Sequence, residues 1–155
     1  AQKIRSLEVK LKLNANKTTV KNKIIILIDD SLVRGTTSHK IVKMLYDAGA
    51  KEVHVKIACP EIRYPDFYGV DMPNKKELLA NEKNNQEICE YINAKTLNFL
   101  SLDGLYKALV GEKRNANFPQ FSDHYFTGDY PIKPSDNLQG LKIKQLSLLS
   151  GKSNS

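Results

Sequence analysis

The sequence predicts an α/β fold, a mostly parallel sheet with flanking helices followed by an irregular C-terminal tail. Three observations carry that expectation. Residues Ile24 to Ile28 (Ile-Ile-Ile-Leu-Ile) form a β-branched block too short for a helix. After it, apolar residues recur at helical spacing at Ile41, Val42, Met44, Leu45 and Ala48. Val53 to Cys59 (Val-His-Val-Lys-Ile-Ala-Cys) then returns to strand character. Strand, helix and strand make a βαβ unit, whose crossover is expected to be right-handed.

Each element has its own local warrant. The Ile24–Ile28 block is apolar at every position, so it reads as a central parallel strand covered on both faces. It stops at Asp29-Asp30. A turn-like stretch, Ser31 to Thr36, leads into the helix, with Thr37 or Ser38 as N-cap candidates and Gly49 as its C-terminal stop. Beyond Pro60 a long irregular stretch, Glu61 to Pro73, precedes two short helical patterns. One runs from about Lys75 to Ala80; the other begins near Asn84, where Glu87 completes a capping box and Ile88, Tyr91 and Ile92 share a face. Thr96 to Leu100 reads as a further short strand, and Ser101 caps a helix from Leu102 to Val110. After Gly111 the sequence is rich in turns (Pro119, Gly128, Pro131, Pro134, Gly140), and Gly151 to Ser155 is small and polar, as at a fraying terminus.

Composition narrows the class. With 155 residues, 41% apolar and 26% charged, the chain is one domain's worth of polypeptide able to bury its own core. No apolar run approaches the roughly 20 residues that cross a bilayer, so no membrane span is expected. Residue 1 is Ala, and the opening stretch lacks the charged start, apolar run and small-residue cleavage site of a secretory signal; the chain is expected to be cytoplasmic and a piece of something longer. Cys59 and Cys89 stand far apart in the chain without a CxxC, which suits two buried thiols in a reducing compartment rather than a disulfide framework or a zinc site.

The net charge of +7 is unevenly placed. Positions 1 to 23 hold Lys3, Arg5, Lys10, Lys12, Lys17, Lys21 and Lys23 against Glu8 alone, a local +6, leaving the rest of the chain nearly neutral at +1. Such a segment suits a solvated arm, a nucleic-acid tail or a loop closing over an anionic small molecule.

The chemistry concentrates at Asp29 to Thr37. In an open parallel sheet, ligands bind beyond the carboxyl ends of the strands, where this acidic pair projects. Two adjacent carboxylates there can accept hydrogen bonds from vicinal hydroxyls of a sugar, or help hold Mg²⁺ beside a pyrophosphate. The loop that follows enters a helix N-terminus, so its backbone N–H groups, the hydroxyls of Ser31, Thr36 and Thr37, and the flexibility of Gly35 suit a phosphate. Diol and phosphate together describe a phosphorylated ribose. Neither a GxxxxGK[ST] loop nor a GxGxxG fingerprint is present.

Residues 25 to 37 resemble the phosphoribosyl-pyrophosphate (PRPP) signature of type I phosphoribosyltransferases, and the wider sequence resembles the C-terminal part of the glutamine amidophosphoribosyltransferases. The likeness runs through Lys10-Leu11-Lys12-Leu13-Asn14, Asp47-Ala48-Gly49-Ala50-Lys51, Arg63 to Pro73, Glu77-Leu78-Leu79-Ala80, Leu100 to Leu105, and Phe126-Thr127-Gly128-Asp129-Tyr130-Pro131. It implies a type I phosphoribosyltransferase-like but incomplete fold. The implied reaction is the first committed step of de novo purine synthesis, in which glutamine-derived ammonia displaces pyrophosphate from PRPP to give 5-phosphoribosylamine.

By the same resemblance, Asp29 and Asp30 hold the ribose hydroxyls and are associated with Mg²⁺, while Ser31 to Thr37, including Arg34, Gly35, Thr36 and Thr37, bind the 5-phosphate. Residues 1–22 correspond to a basic flexible loop that closes over substrate, with Lys12 as the anion contact; residues 23–112 form the core and 113–155 a C-terminal extension. The partners implied are PRPP, purine nucleotides and the N-terminal glutaminase portion, with a homo-oligomer for the complete protein and neither nucleic acid nor membrane. No Cys precedes Cys59, so the glutaminase nucleophile of the resembling family has no counterpart here. One branch of that family binds an iron-sulfur cluster through four Cys; three of those positions are Asp66, Ser122 and Tyr125 here, so no cluster is expected. His39, His54 and His124 are expected to be ordinary helix, sheet and loop residues without a catalytic role. Two other classes fit the same signature: a PRPP-sensing repressor, for which no helix-turn-helix pattern precedes the signature, and a noncatalytic remnant that persists through a partner.

Overall fold

The computed structural model describes residues 14–68 and 74–132. Lys12, the first part of the basic segment and residues 133–155 lie outside them. A short helix α1 (Lys17–Val20) leads into β1 (Ile24–Asp29), α2 (Thr36–Asp47) and β2 (Glu52–Ile57). A 3₁₀ turn (Lys75–Glu77), α3 (Leu79–Glu82), α4 (Asn85–Tyr91), β3 (Thr96–Phe99), α5 (Leu102–Val110) and α6 (His124–Thr127) follow. The three strands pair in parallel in the order β1-β2-β3. This is the α/β architecture that the sequence predicts.

One face of the sheet carries the core. Val53, Val55, Ile57 and Leu97 pack with Val42 of α2, Ala80 of α3, Ile88 of α4, and Leu32 and Ile92 from the connections. Several of these side chains are wholly removed from water, and full burial of each contributes roughly 1.5 to 3 kcal/mol. The opposite face decides how β1 must be read. In the register, Ile24, Ile26 and Ile28 stand beside Glu52, His54 and Lys56, and those in turn meet Thr96 and Asn98. Ile24, Ile26 and Ile28 are 57%, 63% and 71% exposed. So β1 is not covered on both sides: among the described residues it is an edge strand with one apolar stripe open. A uniformly apolar strand reports how its side chains partition, not how many elements surround it.

Boundaries shift in physically transparent ways. The second strand is Glu52–Ile57 rather than Val53 to Cys59, because Ala58 donates its N–H to the Asp29 carbonyl and the chain then turns at Pro60. The pattern from Lys75 to Ala80 divides into the 3₁₀ turn and α3, separated by Leu78, whose extended backbone breaks the helix while its side chain is fully buried. The capping box at Asn84 and Glu87 is present, as is the Ser101 cap, whose hydroxyl accepts the Gly104 N–H at 3.0 Å. Cys59 and Cys89 are partly rather than fully buried, each thiol donating to a nearby carbonyl, of Pro60 and Ala94.

The region beyond Gly111, which sequence alone reads as turns, contains a polar lock. Buried Asp123 accepts hydrogen bonds from the Tyr106 hydroxyl at 2.8 Å and from both sides of the Arg114 fork. Arg114 also reaches Asp129 at 2.8 Å. Burial works against ionised Asp123, but the bonds from Arg114 and Tyr106 outweigh it and hold its carboxyl below the usual range. The bonds to Asp123 and Asp129 raise the Arg114 guanidinium further above its ordinary value.

Candidate functional site

Strand β1 ends at Asp29, pinned through its carbonyl to Ala58 of the β2 end. Its carboxylate turns back to accept the Asp30 N–H at 3.0 Å, and Asp30 accepts the Ser31 hydroxyl at 3.2 Å. Each carboxylate is therefore oriented through one oxygen, which leaves acceptor capacity on the other. Leu32, 2% exposed, anchors the turn in the core. The Val33 carbonyl then accepts the Leu79 N–H at 2.9 Å, fastening the loop to α3.

The helix begins earlier than its side chains suggest. Gly35, not Thr37 or Ser38, is the N-cap of α2, in a left-handed conformation with φ +68° and no side-chain cap. Tertiary crowding explains the choice: a Cβ at Gly35 would lie 2.7 Å from Leu79 Cδ2 and 3.1 Å from Tyr91 Cε1. The first helical bond runs from the His39 N–H to the Gly35 carbonyl at 2.9 Å. The N–H groups of Thr36, Thr37 and Ser38 consequently have no carbonyl a turn behind them within the helix, which is the arrangement that receives an anion.

These groups face one cavity of about 390 Å³, lined from Asp29 through Ser38 and by Lys40. The structure thus brings together every described residue of the expected set: Asp29, Asp30, Ser31, Arg34, Gly35, Thr36 and Thr37. It adds Ser38, which is buried, and Lys40. The signal for Lys40 was in the sequence, because it follows Thr36 by four positions and so stands one turn along the same helix face. Arg34 is engaged by Glu77 through Nε and Nη2, both at 2.8 Å. Burial pushes the Cys59 thiol up, with the charges of Asp30 and Asp29 adding to the effect.

The histidines are placed by geometry. His39 Nδ1 meets the Tyr91 carbonyl at 2.9 Å and must donate to it. His54 lies between Thr96 and Glu52 on the open sheet face. His124 belongs to a network that sequence reading missed: Nε2 lies 2.8 Å from Asp66 Oδ1 and Nδ1 lies 3.0 Å from Ser122 Oγ, with both the His124 and Asp66 side chains essentially buried. Since Asp66 accepts, Nε2 carries a proton. Burial raises the Tyr125 phenol, and the charge of Asp66 and a hydrogen bond to it raise it further. Asp66, Ser122 and Tyr125, three positions singled out on sequence, therefore converge about His124. Among the described residues, no group of three or more His, Cys, Asp and Glu is placed to hold a metal ion, and no helix is long and apolar enough to cross a membrane.

No protein-family model matches the chain. It is 51% identical over 150 residues to an amidophosphoribosyltransferase of Rhizobium etli, covering 96% of this chain and 30% of that protein. To the chloroplastic amidophosphoribosyltransferase 1 of Arabidopsis thaliana it is 46% identical over 145 residues, covering 94% of this chain and 24% of that protein. Among solved structures, a glutamine PRPP amidotransferase from B. subtilis complexed with ADP and GMP matches 88% of this chain and 30% of its own, with a TM-score of 0.74 and 43% identity. The chain is thus homologous to these proteins over nearly its whole length, and it spans only 24% to 30% of the curated relatives, matching their C-terminal part.

Proposed function

We propose that this chain supplies the PRPP-binding part of an amidophosphoribosyltransferase, in which ammonia from glutamine displaces pyrophosphate from PRPP and yields 5-phosphoribosylamine for purine synthesis. One observation carries the reading: a contiguous strand, loop and helix bring two carboxylates and a helix N-terminus to the lining of a single cavity. A lining of that kind suits a ribose together with its 5-phosphate.

In this reading Asp29 and Asp30 accept hydrogen bonds from the ribose hydroxyls and fix the sugar's orientation. The N–H groups and hydroxyls of Thr36 and Thr37, with the Ser31 hydroxyl, hold the 5-phosphate, so the anomeric carbon is presented in one pose. Positioning and fixed electrostatics, rather than a nucleophile of the chain, carry the chemistry at this end. Asp29 and Asp30 also suit Mg²⁺, which takes one or two carboxylates together with substrate phosphates, and when bound it would neutralise charge on departing pyrophosphate. The basic residues ahead of α1, Lys12 among them, serve as the loop that closes over the substrate, and the glutaminase chemistry comes from sequence beyond this chain. Carboxylate, hydroxyl and phenol at Asp66, Ser122 and Tyr125 are poor substitutes for thiolates, so a labile-sulfide assay should find no iron-sulfur cluster. Homology to enzymes over this length favours catalysis over the repressor and remnant alternatives.

The test is Asp30→Asn. Removing one charged acceptor should weaken ribose 5-phosphate or PRPP binding by about 1.5 to 3 kcal/mol, the range for hydrogen bonds to charged groups. The fold should persist, since the Asp30 hydrogen bonds described here are to its chain neighbours Asp29 and Ser31, at the surface. Calorimetric titration of the chain in the presence of Mg²⁺ reads the change, and an unaltered affinity would remove the acidic pair from the site.

A further inference from the structure

Two cations, Arg34 and Lys40, line the cradle. Their electrostatic situations differ. The Arg34 guanidinium is bound by Glu77 at 2.8 Å, and both side chains are about half exposed, at 47% and 48%. A contact pair of that kind adds little to stability, but it leaves a dipole where there would be a charge, and a dipole's field decays faster with distance. Lys40 is partly buried and has no ion-pair partner among the described residues. It stands one turn beyond Thr36 on α2 and lines the same cavity.

Resting on the reading of the cradle as a phosphoribosyl site, we propose that Lys40, rather than Arg34, supplies the free positive charge that this cavity offers a phosphate, and that it selects the dianion over the monoanion. Backbone N–H groups at a helix N-terminus contribute partial charge and receive any anionic oxygen. A full unit charge on a flexible stem adds a component that scales with ligand charge. Glu77 then has a defined part: it holds the Arg34 guanidinium in an ion pair and so limits affinity.

The experiment titrates the full chain with ribose 5-phosphate at about pH 7.5, where a phosphate monoester is mostly dianionic, and at about pH 5, where it is mostly monoanionic. Lys40→Gln should bind the dianion about tenfold more weakly at low salt, and the deficit should shrink to about twofold near 1 M salt, where the Debye length is about 3 Å. At pH 5 the deficit should fall to about threefold, since half the ligand charge is gone. Glu77→Gln should bind two- to threefold more tightly, because it releases Arg34. Lys43→Gln serves as the control for net charge: Lys43 sits on the same helix, paired with Asp47 and outside the cavity, and its loss should leave affinity unchanged. Lys40 and Lys43 lie in α2, where Gln is a good helix former, and the ion pairs lost at Glu77 and Lys43 are exposed ones, so thermal unfolding of all three variants should stay close to the parent. If the parent binds and Lys40→Gln binds equally well, or is weakened equally at both pH values, the charge assignment is overturned while the cradle stands. If the parent does not bind ribose 5-phosphate, both fall together.

Discussion

Gly35→Ala should destabilise the protein by about 2 to 4 kcal/mol and abolish measurable binding of a phosphorylated ribose, because two costs combine. A side chain forced into the left-handed region costs roughly 1 to 2 kcal/mol, and overpacking adds about 1 to 2 kcal/mol, the lower part of its range because the nearest atom, Leu79 Cδ2, ends a flexible side chain. Both apply here, because φ is +68° and the new methyl would lie 2.7 Å from Leu79 Cδ2 and 3.1 Å from Tyr91. Relief falls on the side-chain ends of Leu79 and Tyr91, and whatever their rotation leaves is taken up by the loop itself, which disturbs the N–H groups that open α2. Gly111 provides an internal comparison. Its φ is +78°, but nothing lies within 4 Å of a built Cβ, so Gly111→Ala should cost only the backbone part, roughly 1 to 2 kcal/mol. Urea unfolding of the two variants separates crowding from backbone conformation, and equal midpoints would show that the cradle loop is not braced by α3 and α4 in the way the structure describes.

Asp123→Asn should cost about 2 to 4 kcal/mol near neutral pH, below the full range for breaking a buried pair because Arg114 retains 13% exposure. The substitution keeps the shape of the side chain while leaving the guanidinium with Asp129 as its remaining carboxylate partner, itself 56% exposed. A pH dependence follows. Burial alone would raise the Asp123 carboxyl, but the bonds from Arg114 and Tyr106 bring it below its ordinary value of 3.8 in the folded state. The unfolded chain therefore takes up this proton first as pH falls, so the stabilisation is complete above about pH 5 and is lost below about pH 4 as the folded group protonates. In the Asn variant that acid limb should be shallower. Chemical unfolding followed from pH 7 down to pH 3 measures it, and parallel curves for the two proteins would mean that the pair does not report on folding.

The candidate site was legible because most of it is local. Asp29 to Thr37 are contiguous, the turn between strand and helix fixes their mutual arrangement, and their chemistry follows from residue type and a strand-loop-helix context. Lys40 was within reach of the same reasoning at helical spacing. The cap at Gly35 was not, because Thr37 and Ser38 are better caps on intrinsic grounds, and the left-handed backbone at Gly35 and the approach of Leu79 and Tyr91, from helices much later in the chain, are set by the fold. Glu77 was quoted in the sequence for another reason, and its grip on Arg34 spans 43 residues.

What the sequence by itself determined is the α/β class, the parallel βαβ unit, the capped helices at Asn84 and Ser101, and the acidic pair followed by a hydroxyl-bearing loop at a helix start. These follow from periodicity, turn chemistry and interactions within a few residues. Tertiary structure alone decided that β1 lies at an edge with Ile24, Ile26 and Ile28 open, that Asp123 locks Arg114 and Tyr106, and that Asp66, Ser122 and Tyr125 gather about His124. Each of those joins residues through space, and in each the deciding quantity is what else occupies the neighbourhood. An isoleucine has the same hydropathy at an edge as in a centre, and a histidine in a turn-rich stretch looks solvated until a carboxylate 58 residues away is brought to 2.8 Å and both are withdrawn from water.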